Sequence, residues 1–238
     1  HCGMLADASH QVILASVNPV DVPENWRVPN KSFPEVVDLS CQLMWGLFFT
    51  GRGRRLMEER IMEADIIYLH ELWRPENIQL ARIARKFKKP YLVPIYGMLD
   101  DWAMKKKGLK KRTYHIFLGK TFLEGARFLQ CVNDEEQFQA RCWAPKGKWA
   151  IMPYLVDMSE CLGHARDESC VDLVEDLEDE FTFLFLSRFH PKKGLELLID
   201  ATSVLKRRGH CFKVLLAGTG DDKYVEKLGN LVKQAGLE

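Results

Sequence analysis

Short, continuous apolar runs separated by amphipathic stretches recur along nearly the whole chain, and this alternation constrains the fold more than any other feature. The runs are Val12–Val17, Ile66–Leu69, Tyr91–Ile95, Phe128–Val132, Trp149–Met152, Phe181–Leu186 and Phe212–Ala217. Each has the length of a strand, and their hydrophobicity is continuous rather than alternating, which predicts strands covered on both faces, as in parallel sheets. Pro94 cannot donate to a ladder, so it must sit at the end of its strand. Between the runs, Leu80, Ile83, Ala84 and Phe87 share one helical face. Leu195, Leu198, Ala201, Thr202 and Leu205 share a second, and Tyr224, Leu228, Leu231, Val232 and Ala235 a third. Strand–helix–strand order predicts right-handed βαβ units and an α/β fold with doubly wound parallel sheets.

A chain of 238 residues, 47% hydrophobic and 28% charged, suits one large or two modest globular domains. The strand pattern breaks from Asp157 to Glu180, where Asp167, Glu168, Asp172, Glu175, Asp176, Glu178, Asp179 and Glu180 accumulate. That stretch reads as a solvated loop or an acidic interdomain linker. The expected organisation is residues 1–156 as one Rossmann-like domain, 157–180 as the linker, and 181–238 as the first half of a second domain. The chain opens at His1, and Cys2 to Ser9 reads as the tail of a helix, so the expectation is a piece cut short at both ends.

A formal net charge of +1 gives no global electrostatic case for nucleic acid. The seven cysteines are scattered, with no CxxC pair and no zinc spacing, which fits a reducing compartment. The longest strongly apolar stretch, Leu43 to Phe49, is far shorter than the roughly 18 to 20 residues that span a bilayer. No segment has the order of a signal peptide. The expected location is the cytoplasm, with a peripheral place on the inner face of the membrane as an addition.

Chemistry concentrates in Phe181 to Gly194, "FTFLFLSRFHPKKG", which runs into the helix from Leu195. Ligands of open α/β sheets bind beyond the carboxyl ends of strands. Here Arg188 and Lys193 stand at such an end, beside a helix N-terminus whose amides attract anions. A diphosphate site and a merely basic surface loop both fit this spacing.

Arg188, the four-residue gap, Lys193-Gly194 and "LELLIDATSVLKRRG" resemble the donor-binding segment of GT-B glycosyltransferases, specifically the retaining glycosyltransferase family 4. "FKVLLAGTGDDKYVEKLGNLVKQAGL" resembles the family's next strand, glycine turn and helix, with Gly218 and Gly220 in the turn. In the first half, His70, Leu72 and Trp73, then Gly97, Met98, Leu99, Asp100, Trp102 and Ala103, resemble an acceptor domain with His-Gly-Leu-Trp and His-Gly-Met-Leu-Asp-Pro-Trp-Ala motifs. "AIMPYLVDM" is similar to the family's Ile-Pro-Asn-Gly-Val-Asp segment.

The resemblance implies transfer of a sugar from a nucleotide-sugar to an acceptor hydroxyl with retention, in polysaccharide or glycoconjugate assembly. It implies catalytic roles for Arg188 and Lys193 in neutralising the departing diphosphate. Gly194, Gly218 and Gly220 would complete the donor side, and His70, Tyr96 and Gly97 would lie on the acceptor side. The implied partners are a nucleotide-sugar and a sugar or lipid-linked acceptor, with no nucleic acid. No cofactor or metal is expected, since Arg and Lys can replace a divalent ion electrostatically.

Three departures from the family stand out. Its glycine-rich loop and its Glu-x7-Glu region are absent, and Tyr96 replaces the second histidine, a phenol being a poor proton carrier near neutral pH. The piece as given is therefore expected to be inactive. A non-catalytic nucleotide-sugar-binding protein on the same scaffold and a nucleotide-sugar epimerase stay open as alternatives.

Three further features carry two readings or a structural one. His70 is an acceptor contact or a histidine capped by a neighbouring backbone group. Asp100 and Asp101 suit turn or helix-cap duty. The run Lys105 to Arg112, interleaved with Trp102, Leu109, Tyr114, Ile116 and Phe117, is a solvated basic face or an attraction for an anionic membrane or a phosphate-bearing lipid acceptor.

Overall fold

The computed structural model describes residues 2–28, 33–44, 47–154 and 181–237. The expected linker, residues 157–180, lies outside the described residues, as do Trp45, Cys161, Cys170 and the "LVDM" end of the "AIMPYLVDM" segment. The chain divides into two compact units, His1–Val156 and Asp157–Glu238.

The first unit opens with helix α1 (Cys2–Asp7) and parallel strands β1 (Ile13–Ser16) and β2 (Glu35–Asp38). A short antiparallel pair follows, β3 (Leu43–Met44) with β4 (Phe48–Phe49). Helix α2 (Gly51–Glu63) starts at Thr50, whose hydroxyl accepts from the Gly53 amide at 3.0 Å and satisfies one of the helix's unpaired donors.

Strands β5 (Ile67–Tyr68), β6 (Tyr91–Pro94), β7 (Phe128–Cys131) and β8 (Trp149–Ile151) then form an all-parallel sheet in chain order. Pro94 is the last residue of β6, as its missing N–H requires. Helix α3 (Pro75–Lys86) begins on Pro75, whose fixed φ suits a first helical position, and buries Ile78, Leu80, Ala81, Ile83 and Ala84. At roughly 1.5 to 3 kcal/mol for each large aliphatic side chain fully removed from water, this helix contributes heavily to the core. All four β6 residues are buried, and the Tyr91 hydroxyl donates to the Phe122 carbonyl at 2.7 Å.

Between β6 and β7 lie α4 (Asp101–Lys105), α5 (Gly108–Tyr114), a π-helical turn (His115–Gly119) and α6 (Lys120–Glu124). Asp100 caps α4 by accepting from the Ala103 amide at 2.6 Å. Helix α7 (Asp134–Ala140) follows β7 and is capped by Asn133.

The second unit is a βαβα arrangement: β9 (Thr182–Leu186), α8 (Leu195–Arg207), β10 (Lys213–Ala217) and α9 (Asp222–Gln234). β9 and β10 pair in parallel, with Phe185 opposite Leu216. Those two residues, with Phe189, pack on Leu195 and Ile199 of α8 and Tyr224 and Leu228 of α9. Glu196 ties the helices together, accepting from the Tyr224 hydroxyl at 2.8 Å and pairing with Lys227 at 2.9 Å.

The expectation of strands covered on both faces fails in this unit. Both helices pack on the Phe185–Leu216 face, so among the described residues Leu184 and Leu186 on the opposite face remain 62% and 75% exposed. On α8 the expected face holds at Leu195, Leu198, Thr202 and Leu205, which are buried or half-buried; Ala201 is exposed, and Ile199 and Ser203 are buried in addition.

Candidate functional site

In the second unit the parallel pairing continues past the strands. The Ser187 amide donates to Ala217 O at 3.1 Å, and the Phe189 amide to Thr219 O at 2.7 Å. Phe189 packs with Phe185 toward the helices, so strand alternation places Arg188 on the face of Leu184 and Leu186. Arg188 is exposed at the carboxyl end of β9. A single 3₁₀ turn (Pro191–Lys193) follows, capped by His190, whose ring accepts from the Lys192 amide at 3.2 Å. Lys193 ends that turn, exposed, immediately ahead of α8. Gly194 joins turn to helix in the left-handed region, φ 70°, where a Cβ is disfavoured. Its amide donates to Pro191 O at 3.2 Å, so Leu195 supplies the first amide of the helix terminus.

The carboxylate in that first turn, Glu196, is held below its ordinary range by Lys227, Tyr224 and its own backbone amide. Its charge is thereby spent on α9, and the loop from Ser187 to Gly194 carries Arg188, Lys192 and Lys193 and no acid.

Gly218 and Gly220 lie against this same loop. A methyl group on Gly218 would overlap the Ser187 carbonyl, and one on Gly220 would overlap the Phe189 carbonyl. Gly218 also has φ 151°, and Gly220 forms a parallel bridge with Phe189. The structure thus brings Arg188, Lys193, Gly194, Gly218 and Gly220 to one end of one small sheet. The glycines are there because two backbones run in contact.

In the first unit, His70, Tyr96 and Gly97 converge at the carboxyl ends of β5 and β6. The Tyr96 hydroxyl lies 3.0 Å from His70 Nδ1, with the rings stacked at 5.7 Å, and Tyr68 meets His70 edge-on at 4.5 Å. Tyr68 also donates a hydrogen bond to the Tyr96 oxygen, which is one cause of its raised pKa. The Tyr96 hydroxyl and His70 Nδ1 share one hydrogen bond, whose donor is set by the imidazole tautomer. His70 is open to solvent along one edge, yet burial between the two tyrosines pushes its pKa below the ordinary value. Of the two roles open for His70, backbone capping is not what holds the ring; a side-chain hydroxyl does. Tyr154 packs on Tyr96 at 5.2 Å, and burial pushes its phenol up to about 12.

Several buried side chains hold this arrangement. Asn77 donates from Nδ2 to both the His70 and Glu71 carbonyls, and Glu71 sits in the left-handed region, φ 71°. Tyr96 and Gly97 are left-handed in succession, φ 53° and 67°. Glu136 accepts from the Gly97 amide through Oε1 and from the Val132 amide at 2.7 Å through Oε2. Left-handed non-glycine residues cost of order 1 to 3 kcal/mol each and persist where surroundings over-determine them, commonly at functional sites. The roles of Tyr68, Asn77, Glu136 and Tyr154 were not read from the sequence. The Asn133-x-x-Glu136 spacing, a helix-start signature, is the local signal that could have pointed to Glu136.

A separate groove of about 1250 Å³ is lined by Ser9, His10, Trp26, Arg27, Glu35 and Asp38 among others, and shares no residue with either cluster. Among the described residues no group of three His, Cys, Asp or Glu side chains could hold a metal ion. No described helix is long and apolar enough to cross a membrane.

Parallel-stranded α/β units with residue clusters beyond their strand ends fit the GT-B class of fold. Residues 174–238 match the family model described as "Glycosyl transferases group 1", the stretch that carries Arg188, Lys193 and the glycine turn. A search of curated protein sequences finds no match to the chain.

Solved structures share the fold. A glycosyltransferase from Rickettsia africae ESF-5 is 16% identical, with a TM-score of 0.66 over 99% of this chain and 60% of that one. Anabaena Alr3699/HepE in complex with UDP and glucose is 17% identical, with a TM-score of 0.60 over 87% of this chain and 55% of that one. The same protein in complex with UDP-glucose gives 17% and 0.60, over 87% and 54%. The chain thus spans little more than half the length of the structures it resembles, and at these identities the likeness is one of fold.

Proposed function

We propose that the protein to which this chain belongs is a retaining glycosyltransferase that takes its sugar from a nucleoside-diphosphate sugar. The observation that supports the reading is the Ser187–Gly194 loop at the carboxyl end of β9, which carries two exposed cations and no acid and leads into a helix N-terminus. Arg188 offers a planar fork that matches phosphate oxygens, and Lys193 a compact point charge. Negative charge grows on the diphosphate as the glycosidic bond breaks, so fixed cations there lower the barrier. The glycine turn removes side chains where the loop needs close backbone approach. UDP is the natural first probe, because the Anabaena relative is described in complex with UDP and UDP-glucose.

On the acceptor side, the exposed His70, Tyr96 and Tyr154 offer polar ring atoms and apolar ring carbons together. A sugar's hydroxyls and its apolar face fit that pairing. Tyr96 here acts as a lock on the imidazole rather than as a second proton carrier. Retention and a place in glycoconjugate assembly rest on the resemblance of the Arg188–Lys193 segment to retaining enzymes. The test is release of UDP from UDP-glucose by the full-length protein with a panel of hydroxyl acceptors, the anomeric configuration of the product being read by NMR. An α-linked product supports the reading, and a β-linked product overturns retention. UDP binding without transfer to any acceptor supports the non-catalytic alternative.

A further inference from the structure

Helices α5 and α6 and the π-helical turn between them run without a break from Gly108 to Glu124, with right-handed dihedrals at both junctions. The inner face is accounted for: Tyr114, His115, Leu118, Phe122 and Leu123 pack on the core of the first unit. Apolar residues on the outer face have no such explanation. Leu109 is 84% exposed, Ile116 69% and Phe117 76%. Lys110, Arg112 and Lys120 are exposed beside them. No acidic residue occurs between Trp102 and Leu123, and Glu124, the last residue of α6, accepts from the Lys146 amide at 3.3 Å, so the positive field of this face is uncompensated along its own elements up to that end. A scattered exposed leucine means little, but three large apolar side chains on one helical face ringed by cations is the pattern of a helix lying in a membrane interface.

We propose that this outer face docks on an anionic lipid bilayer, with Leu109, Ile116 and Phe117 entering the headgroup–acyl boundary and Lys110, Arg112 and Lys120 meeting lipid phosphates. Charge complementarity selects the occupant, since a solvated face would gain nothing from the apolar row. Lys111 is not part of the contact. Its ammonium donates to the Ala103 carbonyl at 2.7 Å and lies over the Trp73 ring at 5.1 Å, so its charge is held on the inner side. The segment lies along the surface rather than across it, because no described helix is long and apolar enough to cross. The inference stands apart from sugar transfer and is tested without it.

The test is flotation of the protein with phosphatidylcholine vesicles, with and without about one-third phosphatidylglycerol. Each cation near an anionic surface is worth about fivefold in partitioning. The triple variant Lys110→Gln/Arg112→Gln/Lys120→Gln is therefore expected to bind anionic vesicles about 100-fold more weakly than the parent. Leu109→Ser/Ile116→Ser/Phe117→Ser keeps the charge and is expected to lose at least tenfold. Raising salt from about 0.1 M to about 1 M shortens the Debye length from about 10 Å to about 3 Å and should release the parent. Lys223→Gln/Lys233→Gln, which removes charge from α9, should bind like the parent. Failure of the parent to float, equal flotation with neutral vesicles, parent-like binding by both triple variants, or an equal loss in the α9 control would each overturn the proposal.

Discussion

Tyr96 holds a left-handed backbone, aims its hydroxyl at His70 Nδ1 and stacks on the same ring. Burial of the ring disfavours its protonation, and the Tyr96 hydroxyl acts in the same direction when it donates to Nδ1. NMR titration should therefore find His70 below its ordinary value of about 6.5, and Tyr96→Phe should move it upward. A His70 value unchanged by Tyr96→Phe would mean that the hydroxyl does not hold the ring. Neither tyrosine contact was legible in the sequence, because His70 and Tyr96 lie 26 positions apart and meet only across two strand ends. Glu136 is a second case. Its helix-start role is local and legible, whereas its hold on the Gly97 amide spans 39 positions. Glu136→Ala would strand two backbone donors, each costing about 1 to 3 kcal/mol, so chemical denaturation should show a loss of about 2 to 6 kcal/mol. A loss under 1 kcal/mol would show those amides satisfied by water.

At the scale of elements, strand positions were the most legible part of the chain. Buried runs such as Tyr91–Ile95 need no partner to be recognised. β2 escaped because Val36 and Val37 alone carry its apolar signal, and β3–β4 was visible only as an apolar stretch. On α8 the expected face was right at Thr202, which buries its hydroxyl by bonding the Leu198 and Ile199 carbonyls at 3.0 and 2.9 Å, and missed Ser203, which buries by accepting from Arg207 at 2.7 Å. The glycine turn was legible as a turn, though not as a contact between two backbones. Gly218→Ala and Gly220→Ala should each destabilise the protein by about 3 kcal/mol or more through backbone overlap. Gly229, inside α9, meets nothing that a methyl would touch, so Gly229→Ala should stabilise it by about 1 kcal/mol. Thermal melts of the three variants check the contrast, and like effects at all three positions would remove the close-approach explanation.

At the scale of the whole molecule, burial depresses two histidines among the described residues, His70 and His115. Each binds a proton more readily unfolded than folded, so stability is full above about pH 6.5 and declines as pH falls through that value toward the folded pKa. Melting temperature should drop from pH 7 to pH 5, and His115→Gln should flatten part of that slope; an unchanged slope would remove His115 from the account. Order and spacing gave the parallel α/β units and the basic loop bearing Arg188 and Lys193, the resemblance to a known family suggested GT-B, and the contacts among His70, Tyr96 and Gly97 required the fold.

The central claim is the diphosphate site, and calorimetric titration of the full-length protein with UDP tests it most directly. Charge-assisted hydrogen bonds are worth roughly 1.5 to 3 kcal/mol each, so Arg188→Ala and Lys193→Ala should each weaken binding by about 10- to 100-fold. Because both act on one diphosphate, the double substitution should cost less than the sum of the two. Lys223→Ala, exposed on α9, should bind like the parent. Arg188→Ala and Lys193→Ala proteins that bind UDP as tightly as the parent would contradict the assignment.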